Sequence, residues 1–318
     1  MPEVRSRIAR VLLVAGLAGV APPLLASPAT ARAFDSCHSV AQVALRSCQN
    51  GAHSDRWLAT GGCDNLPDAT ARKACTQQAA SDAKDSSTTC TDQRAARQAV
   101  CGRLGAAPYT PAIDPANFVA TIDNPLFPLP PGKTFVYEGD TAKGHEHDEF
   151  FVTHNTKVIM GVTCVEVHDT VQLAGDLTED TLDWFAQDRD GNVWYFGENS
   201  RQLERGLFLG VEGSWIGGVD GAQPGIVMKA HPAIGDFYRQ EYLLGVAEDI
   251  AEVVSLTDTA TVSFPPGTFT NVLKTHETAP LEPDASENKY YAAGVGNILT
   301  VDLETGERSE LTQILDTP

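Results

Sequence analysis

Residues 177–198 read LTEDTLDWFAQDRDGNVWYFGE. Two alternating segments, LTEDTLDWFAQ and NVWYFGE, flank Asp190-Gly191, a dipeptide that favours a tight two-residue hairpin turn. A turn there pairs positions summing to about 381, which sets Phe185 near Phe196 and Gln187 near Trp194. Alternation puts Glu179, Thr181, Asp183 and Phe185 on one face of the first strand. The stretch therefore reads as a central hairpin of an antiparallel sheet, with carboxylates and aromatic rings side by side.

Similar segments surround it. Pro125, Pro128, Pro130 and Pro131 exclude regular helix and suit an extended lead-in. Alternating runs follow at 134–138, 149–154, 164–173, 177–187 and 192–196. They resume at 237–244, 250–256, 259–264, 272–278, 289–292, 297–303 and 310–315. So many short strands with no sustained helical pattern predict a mainly β domain, an antiparallel barrel of lipocalin-like kind or a sandwich.

The amino-terminal third is of another kind. Arg5, Arg7 and Arg10 precede the apolar run 11–26, and Ala31-Arg32-Ala33 offers small residues for cleavage, as in an export signal. Residues 1–33 are read as that signal, with a mature terminus near Phe34 and no membrane insertion after cleavage. Six of the seven cysteines then fall at 37, 48, 63, 75, 90 and 101. Their intervals, 11, 15, 12, 15 and 11, form a palindrome. Facing positions of an antiparallel hairpin keep a constant sum, so the pairs Cys37–Cys101, Cys48–Cys90 and Cys63–Cys75 fit together. The spacing keeps the cysteines on one helical stripe. Residues 34–105 are accordingly read as a disulfide-stapled α-helical hairpin, 106–133 as a proline-rich linker and lead-in, and 134–318 as the β domain. Three disulfides imply a secreted or periplasmic, cell-envelope location.

Charge divides the chain similarly. Of the net −19, residues 34–105 contribute eight Lys/Arg less seven Asp/Glu, or +1, and 106–318 contribute eleven less thirty-four, or −23. Such an acidic domain is a poor partner for nucleic acid or anionic membrane.

Several motifs resemble a family of secreted bacterial proteins of unassigned function. They are Ile122-Asp123-Asn124-Pro125 with Phe127-Pro128-Leu129, Tyr137-Glu138-Gly139, Asp183-Trp184-Phe185-Ala186-Gln187-Asp188, Gly191-Asn192-Val193-Trp194-Tyr195 and Tyr238-Arg239-Gln240-Glu241-Tyr242. The resemblance covers nearly the whole mature chain and implies no established activity.

Four constellations are candidates for chemistry. Glu179, Asp183 and Glu241, with Arg239 on the face of Glu241, are suited to an acid–base group or to anchoring a cationic or sugar ligand. Trp184, Trp194, Tyr195 and Tyr238 would supply apolar walls. His145, His147 and Glu149 share one strand face and suit a divalent metal, although a polar strand or loop next to Gly144 explains them better. No cofactor is otherwise expected. Asp188, Asp190 and Asn192 resemble a calcium loop whose glycine comes too early, so a turn explains them better. Cys164, in VTCVEV, reads as an inert core thiol. The expected function is a binding protein holding a small-molecule ligand in or at the mouth of a barrel. Alternatives are a secreted hydrolase or lyase using Glu179, Asp183 and Glu241, and a cell-envelope structural or interaction protein whose helical arm docks a partner.

Overall fold

The computed structural model describes residues 35–263 and 267–317. The export signal and the expected cleavage point lie outside the described residues. Among the described residues no helix is long and apolar enough to cross a membrane.

Two helices form the arm, α1 (Ser36–Asp64) and α2 (Ala69–Leu104). Asp35 and Asp68 cap them, accepting from the His38 and Ala71 amides at 3.0 and 2.7 Å. Cys37–Cys101, Cys48–Cys90 and Cys63–Cys75 staple the pair at Cα separations of 5.7, 5.7 and 5.5 Å. The nested pairing follows from the palindromic spacing, because each step along α1 is matched by an equal step back along α2. Three bridges fit an oxidising compartment, secreted or periplasmic. The arm has few buried apolar side chains, Ala41, Ala44, Leu45, Ala79 and Val100 among them, so the bridges bear much of its stability. Replacing Cys48 and Cys90 by serine should cost roughly 2–4 kcal/mol. Far-ultraviolet circular dichroism during urea unfolding would show this as early loss of helix. Loss of helix together with the barrel would contradict it.

The rest of the molecule is strand. A 3-10 turn at Pro115–Asn117 leads to β1 (Phe118–Val119), β2 (Lys133–Thr141), β3 (Gly144–Ile159), β4 (Val162–Leu173), β5 (Asp176–Asp188) and β6 (Val193–Asn199). Short pieces follow: β7 (Gln202–Glu204), β8 (Leu207–Gly210), β9 (Trp215–Ile216), β10 (Gln223–Met228), β11 (Phe237–Arg239) and β12 (Glu241–Tyr242). The last are β13 (Ile250–Val262), β14 (Gly267–Ala279), β15 (Glu282–Ala292), β16 (Gly296–Asp302) and β17 (Arg308–Asp316). Segments 250–256 and 259–264, expected as two strands, make one strand with register shifts near Ser255 and Asp258. The pieces between 202 and 228 lack regular alternation and were not expected.

Antiparallel pairing carries the sheet almost fully around. Strands β2 to β6 pair in order, β6 pairs β10, β10 pairs β12, β11 pairs β13, and β13 to β17 pair in order back to β2. The result is a nearly closed barrel. Its narrowest seam is the two-residue ladder Gln223↔Tyr242 and Pro224↔Glu241. Gly225 sits at that seam because a Cβ there would stand 2.3 Å from the Gln240 carbonyl carbon.

The central hairpin differs from expectation by one residue. Arg189 joins the turn: the Gly191 amide bonds the Asp188 carbonyl, the Asp188 amide bonds that of Asn192, and Gly191 takes φ of +93°. The register becomes Phe185↔Tyr195 and Gln187↔Val193, correcting the pairs expected from a two-residue turn. A bulge between Trp184 and Phe185 then restores the expected register, Trp184↔Gly197 and Asp183↔Glu198.

Two apolar layers result. Inside, Ile122, Leu129, Phe135, Val152, Phe185, Val253 and Leu311 belong to the main core. Outside, Ile159, Val162, Cys164, Trp184, Ala186 and Phe196 form a second cluster under Ile113 and Phe118. Burying side chains of this size contributes about 1.5–3 kcal/mol each. Cys164 has no exposed surface, and burial pushes its thiol up to about 12. It should resist thiol reagents until the barrel unfolds; rapid labelling of native protein would refute its burial.

Candidate functional site

Within the barrel lies a cavity of about 380 Å³. The lead-in closes one part of it, because Phe127 and Leu129 reach in beside Phe135, Phe150 and Phe185. That strap is fixed by amide geometry. Gln187 Oε1 accepts from the Asp123 and Asn124 amides at 2.9 and 2.8 Å, and Asn124 Nδ2 donates to the Gly191 carbonyl at 2.8 Å. From Phe185 back through Asp183 and Thr181 to Glu179, the wall changes from apolar to acidic.

Eight carboxyl side chains line the cavity against one ammonium, Lys289. Asp148, Asp169, Glu179, Asp183 and Glu198 come from β3 to β6, and Glu241, Asp249 and Glu277 from the opposite wall. The Tyr195 hydroxyl donates to Asp183 Oδ1 at 2.5 Å and lies 3.2 Å from Glu198 Oε2. A phenol has one proton, so the two carboxyls compete for it. Its ring stacks on Phe185 with centroids 4.7 Å apart. Glu241 accepts from Trp215 Nε1 at 2.7 Å, and Thr181 donates to Glu179 at 2.7 Å.

Glu277 is fully engaged. It takes Thr275 at 2.7 Å, Gln240 at 3.1 Å, Tyr291 at 3.3 Å and the Lys289 ammonium at 3.1 Å. Lys289 is shared with Glu287 at 2.9 Å. The one cation is thus committed to one side. Across the cavity, Asp148 and Asp169 have no partner but each other, and Asn297 Nδ2 has no hydrogen-bond partner among the described residues.

Enclosure governs the electrostatics. Burial raises Asp183 well above the carboxylate range, and the nearby Asp169 adds to it. Burial likewise raises Glu241, with Asp249 and Glu198 contributing. Glu198 is pushed up to about 8 and Asp249 to about 6, burial again the largest cause. Asp148 and Asp169 act as a pair: burial raises both, Asp169 to about 6, and the bond between them favours the proton on Asp148. Burial, with the neighbouring carboxyls, thus favours the protonated form of Asp183, Glu198 and Glu241.

Of the residues expected to bind, the fold brings Glu179, Asp183, Tyr195 and Glu241 together on the cavity wall. The others lie elsewhere. Trp184 faces the outer cluster, donates to Glu166 at 3.2 Å and carries Lys157 over its ring. Trp194 also faces outward, bonding Asp188 at 2.8 Å beside Phe118. Tyr238 packs in the main core with its hydroxyl unpartnered. Arg239 does not share a face with Glu241. The break at Gln240 turns Gln240 and Glu241 inward and leaves Arg239 facing the helical arm.

The histidine triplet lies on the outer face of β3. His145 bonds Asp140 and Glu138 at 2.8 and 2.9 Å, and His147 bonds Glu138 and Glu149 at 2.9 and 3.3 Å. These bonds occupy both nitrogens of each ring and hold both imidazoles above their ordinary pKa. Among the described residues no group of three His, Cys, Asp or Glu side chains is placed to hold a metal ion. The Asp188 carboxylate binds its own turn, accepting from the Asn192 amide and Nδ2, each at 2.8 Å.

Sequence reasoning missed Asp148, Asp169, Asp249, Glu277 and Lys289. Alternation carried the signal for some: Asp148 with Phe150, and Lys289 with Tyr291, share faces of their strands. Glu198 carried no such signal, because the bulge turns it to the side of Tyr195 despite odd spacing.

No protein-family model matches the chain, and no curated protein does. Solved structures similar to it include a protein assigned as exported, with a YmcC-like fold, from Bacteroides fragilis NCTC 9343. It is 16% identical, with 60% of this chain and 98% of that chain covered and a TM-score of 0.34. A protein assigned as a lipoprotein from Parabacteroides distasonis ATCC 8503 is 13% identical over the same shares, with a TM-score of 0.33.

Proposed function

We propose that the protein is a secreted binding protein that holds a small organic cation in the barrel chamber. The observation that supports this best is the imbalance of one ammonium against eight carboxyls around a cavity of about 380 Å³. An amine entering it meets the Asp148–Asp169 pair, which has no cation of its own, with Phe150, Phe185 and Tyr195 as apolar walls. Such a ligand displaces the stored protons, and the carboxylates it leaves are paired rather than isolated.

The test is calorimetric titration with 1,5-diaminopentane at pH 5 and pH 8, alongside native mass spectrometry of protein purified from its own host. Binding should tighten at least tenfold at pH 8, with proton release, and Asp183→Asn should weaken it by about tenfold, or ~1.4 kcal/mol. A folded protein that retains no small molecule and binds no amine at either pH would end this reading. A second reading, hydrolase or lyase chemistry by Glu179, Asp183 and Glu241, draws support from raised Asp183 and Glu241 facing one cavity with Glu179. Turnover abolished by Asp183→Asn with substrate binding retained would favour it.

A further inference from the structure

A second cavity, of about 180 Å³, lies between the helical arm and the outer wall of the barrel. Two guanidinium groups border it, Arg97 from α2 and Arg239 from β11, and only 5% and 7% of their surfaces are exposed. Arg97 is mostly spent. Its Nε and Nη2 hold both oxygens of Glu248 at 2.7 to 3.1 Å. Glu248 also accepts from the Gly245 amide at 2.8 Å. Arg97 Nη1 and the Nε and Nη1 of Arg239 have no hydrogen-bond partner among the described residues.

Two buried positive charges therefore meet one carboxylate. The excess charge and three orphaned nitrogens, carrying five N–H bonds, belong to residues that line the same small space, an arrangement that is costly unless an anion completes it. Geometry narrows the anion. The Arg239 guanidinium lies 4.5 Å from the Tyr242 ring centroid and 5.6 Å from that of Tyr109. The two rings meet edge to face, and the Tyr109 hydroxyl is occupied by the Pro224 carbonyl at 2.9 Å. The nearer ring, Tyr242, shields the guanidinium on one side, and the unpartnered N–H groups point in the guanidinium plane, where a carboxylate is accepted. The remaining walls, Val40, Ala41, Leu104 and the Cys37–Cys101 bridge, are apolar and suit a short hydrocarbon tail.

We propose that this junction pocket binds one short-chain carboxylate, with Arg239 as its principal donor, Arg97 Nη1 as a second, and the tail against the arm. The site is separate from the barrel chamber and does not depend on the reading given to it. A bound anion would join the arm to the barrel, since its donors come from both.

The test uses the mature, disulfide-bonded protein carrying ¹⁵N-labelled arginine. Sodium propionate is titrated at constant ionic strength against propionamide, inorganic phosphate and chloride, with the Nε–Hε resonances of Arg239 and Arg97 as readout. Propionate should shift the Arg239 resonance saturably, with one site per molecule, and propionamide should not. Arg239→Met should remove the saturable shift of the remaining Arg97 resonance while the protein stays folded, since the variant deletes an uncompensated charge. Arg239→Lys keeps the charge but not the planar donors and should bind at least tenfold more weakly. Glu241→Gln, in the chamber, should leave propionate binding unchanged. Absence of saturable propionate binding, equal binding by Arg239→Met, or phosphate binding as tightly as propionate would each overturn the assignment.

Discussion

Arg97→Ala should destabilise the protein by about 3–5 kcal/mol, measured as a fall in the urea midpoint. The reason is the residue left behind. Glu248 is 1% exposed, and Arg97 makes the three bonds that compensate its charge. Removing the guanidinium leaves a buried carboxylate with one hydrogen-bond donor, the Gly245 amide, and Arg239 as a cation lining the same space without bonding it. Glu248→Gln should cost less, because a neutral amide needs less solvation, and the joint Arg97→Met, Glu248→Met variant should recover most of the loss. If Arg97→Ala cost under 1 kcal/mol, the bridge would be open to water and its compactness unimportant. Arg103 is a useful contrast: it bonds Glu252 at 2.9 Å at an exposed surface, where such pairs are worth about 1 kcal/mol or less.

Acid should stabilise the ligand-free protein. Asp169 and Asp249 hold protons until about pH 6 and Glu198 until about pH 8, whereas an unfolded chain releases them near 3.8 and 4.5. Between pH 4 and pH 8, roughly, the folded state binds more protons than the unfolded one, so stability falls as pH rises through that window. At about 1.4 kcal/mol per unit, Asp169 and Asp249 each lose about one unit and Glu198 nearly three, so the loss from pH 5 to pH 8 is on the order of 6 kcal/mol. His145 and His147, raised by their carboxylate partners, act in the same direction as pH rises through their folded pKa. Asp236, Glu252 and Glu310 are lowered instead, and their stabilisation is lost only on acidification below the ordinary carboxylate range. Guanidinium midpoints at pH 5, 6.5 and 8 check the claim. A midpoint that rises toward pH 8 would mean that the chamber carboxyls are solvated and ionised. Asp183→Asn should flatten the slope.

The nested bridges were legible because helix pairing is arithmetic, and six positions with one constant sum leave little freedom. The inward set Glu179, Thr181, Asp183 and Phe185 was legible because a barrel preserves alternation along β5. Where alternation breaks, reading failed. The extra residue in the turn at Arg189 and the bulge at Phe196 cancel, so Asp183↔Glu198 survives while Phe185↔Tyr195 shifts. At Gln240 a similar break turns Arg239 away from Glu241. Trp184 and Trp194 were assigned to the chamber as large apolar groups, yet the segment carrying Ile113 and Phe118 covers the outer wall and buries them there. The remaining lumen acids resemble a solvated surface in sequence, since only closure of the sheet reveals that they face one another.

The ladder from β17 to β2 also sets the order of assembly. Lys133 meets Asp316 across it, 183 positions apart, and the Thr134 and Thr317 hydroxyls lie 2.7 Å apart at the same end. The hoop therefore cannot lock until its final strand is in place, and this late, long-range step should limit the folding rate. The arm needs only contacts within its own hairpin and can oxidise while the strands are still arriving. A cysteine-rich leader that matures before the β portion keeps six reactive thiols away from Cys164 during the interval when that thiol is still uncovered. Its position ahead of the barrel thus favours the nested pairing over bridges to Cys164.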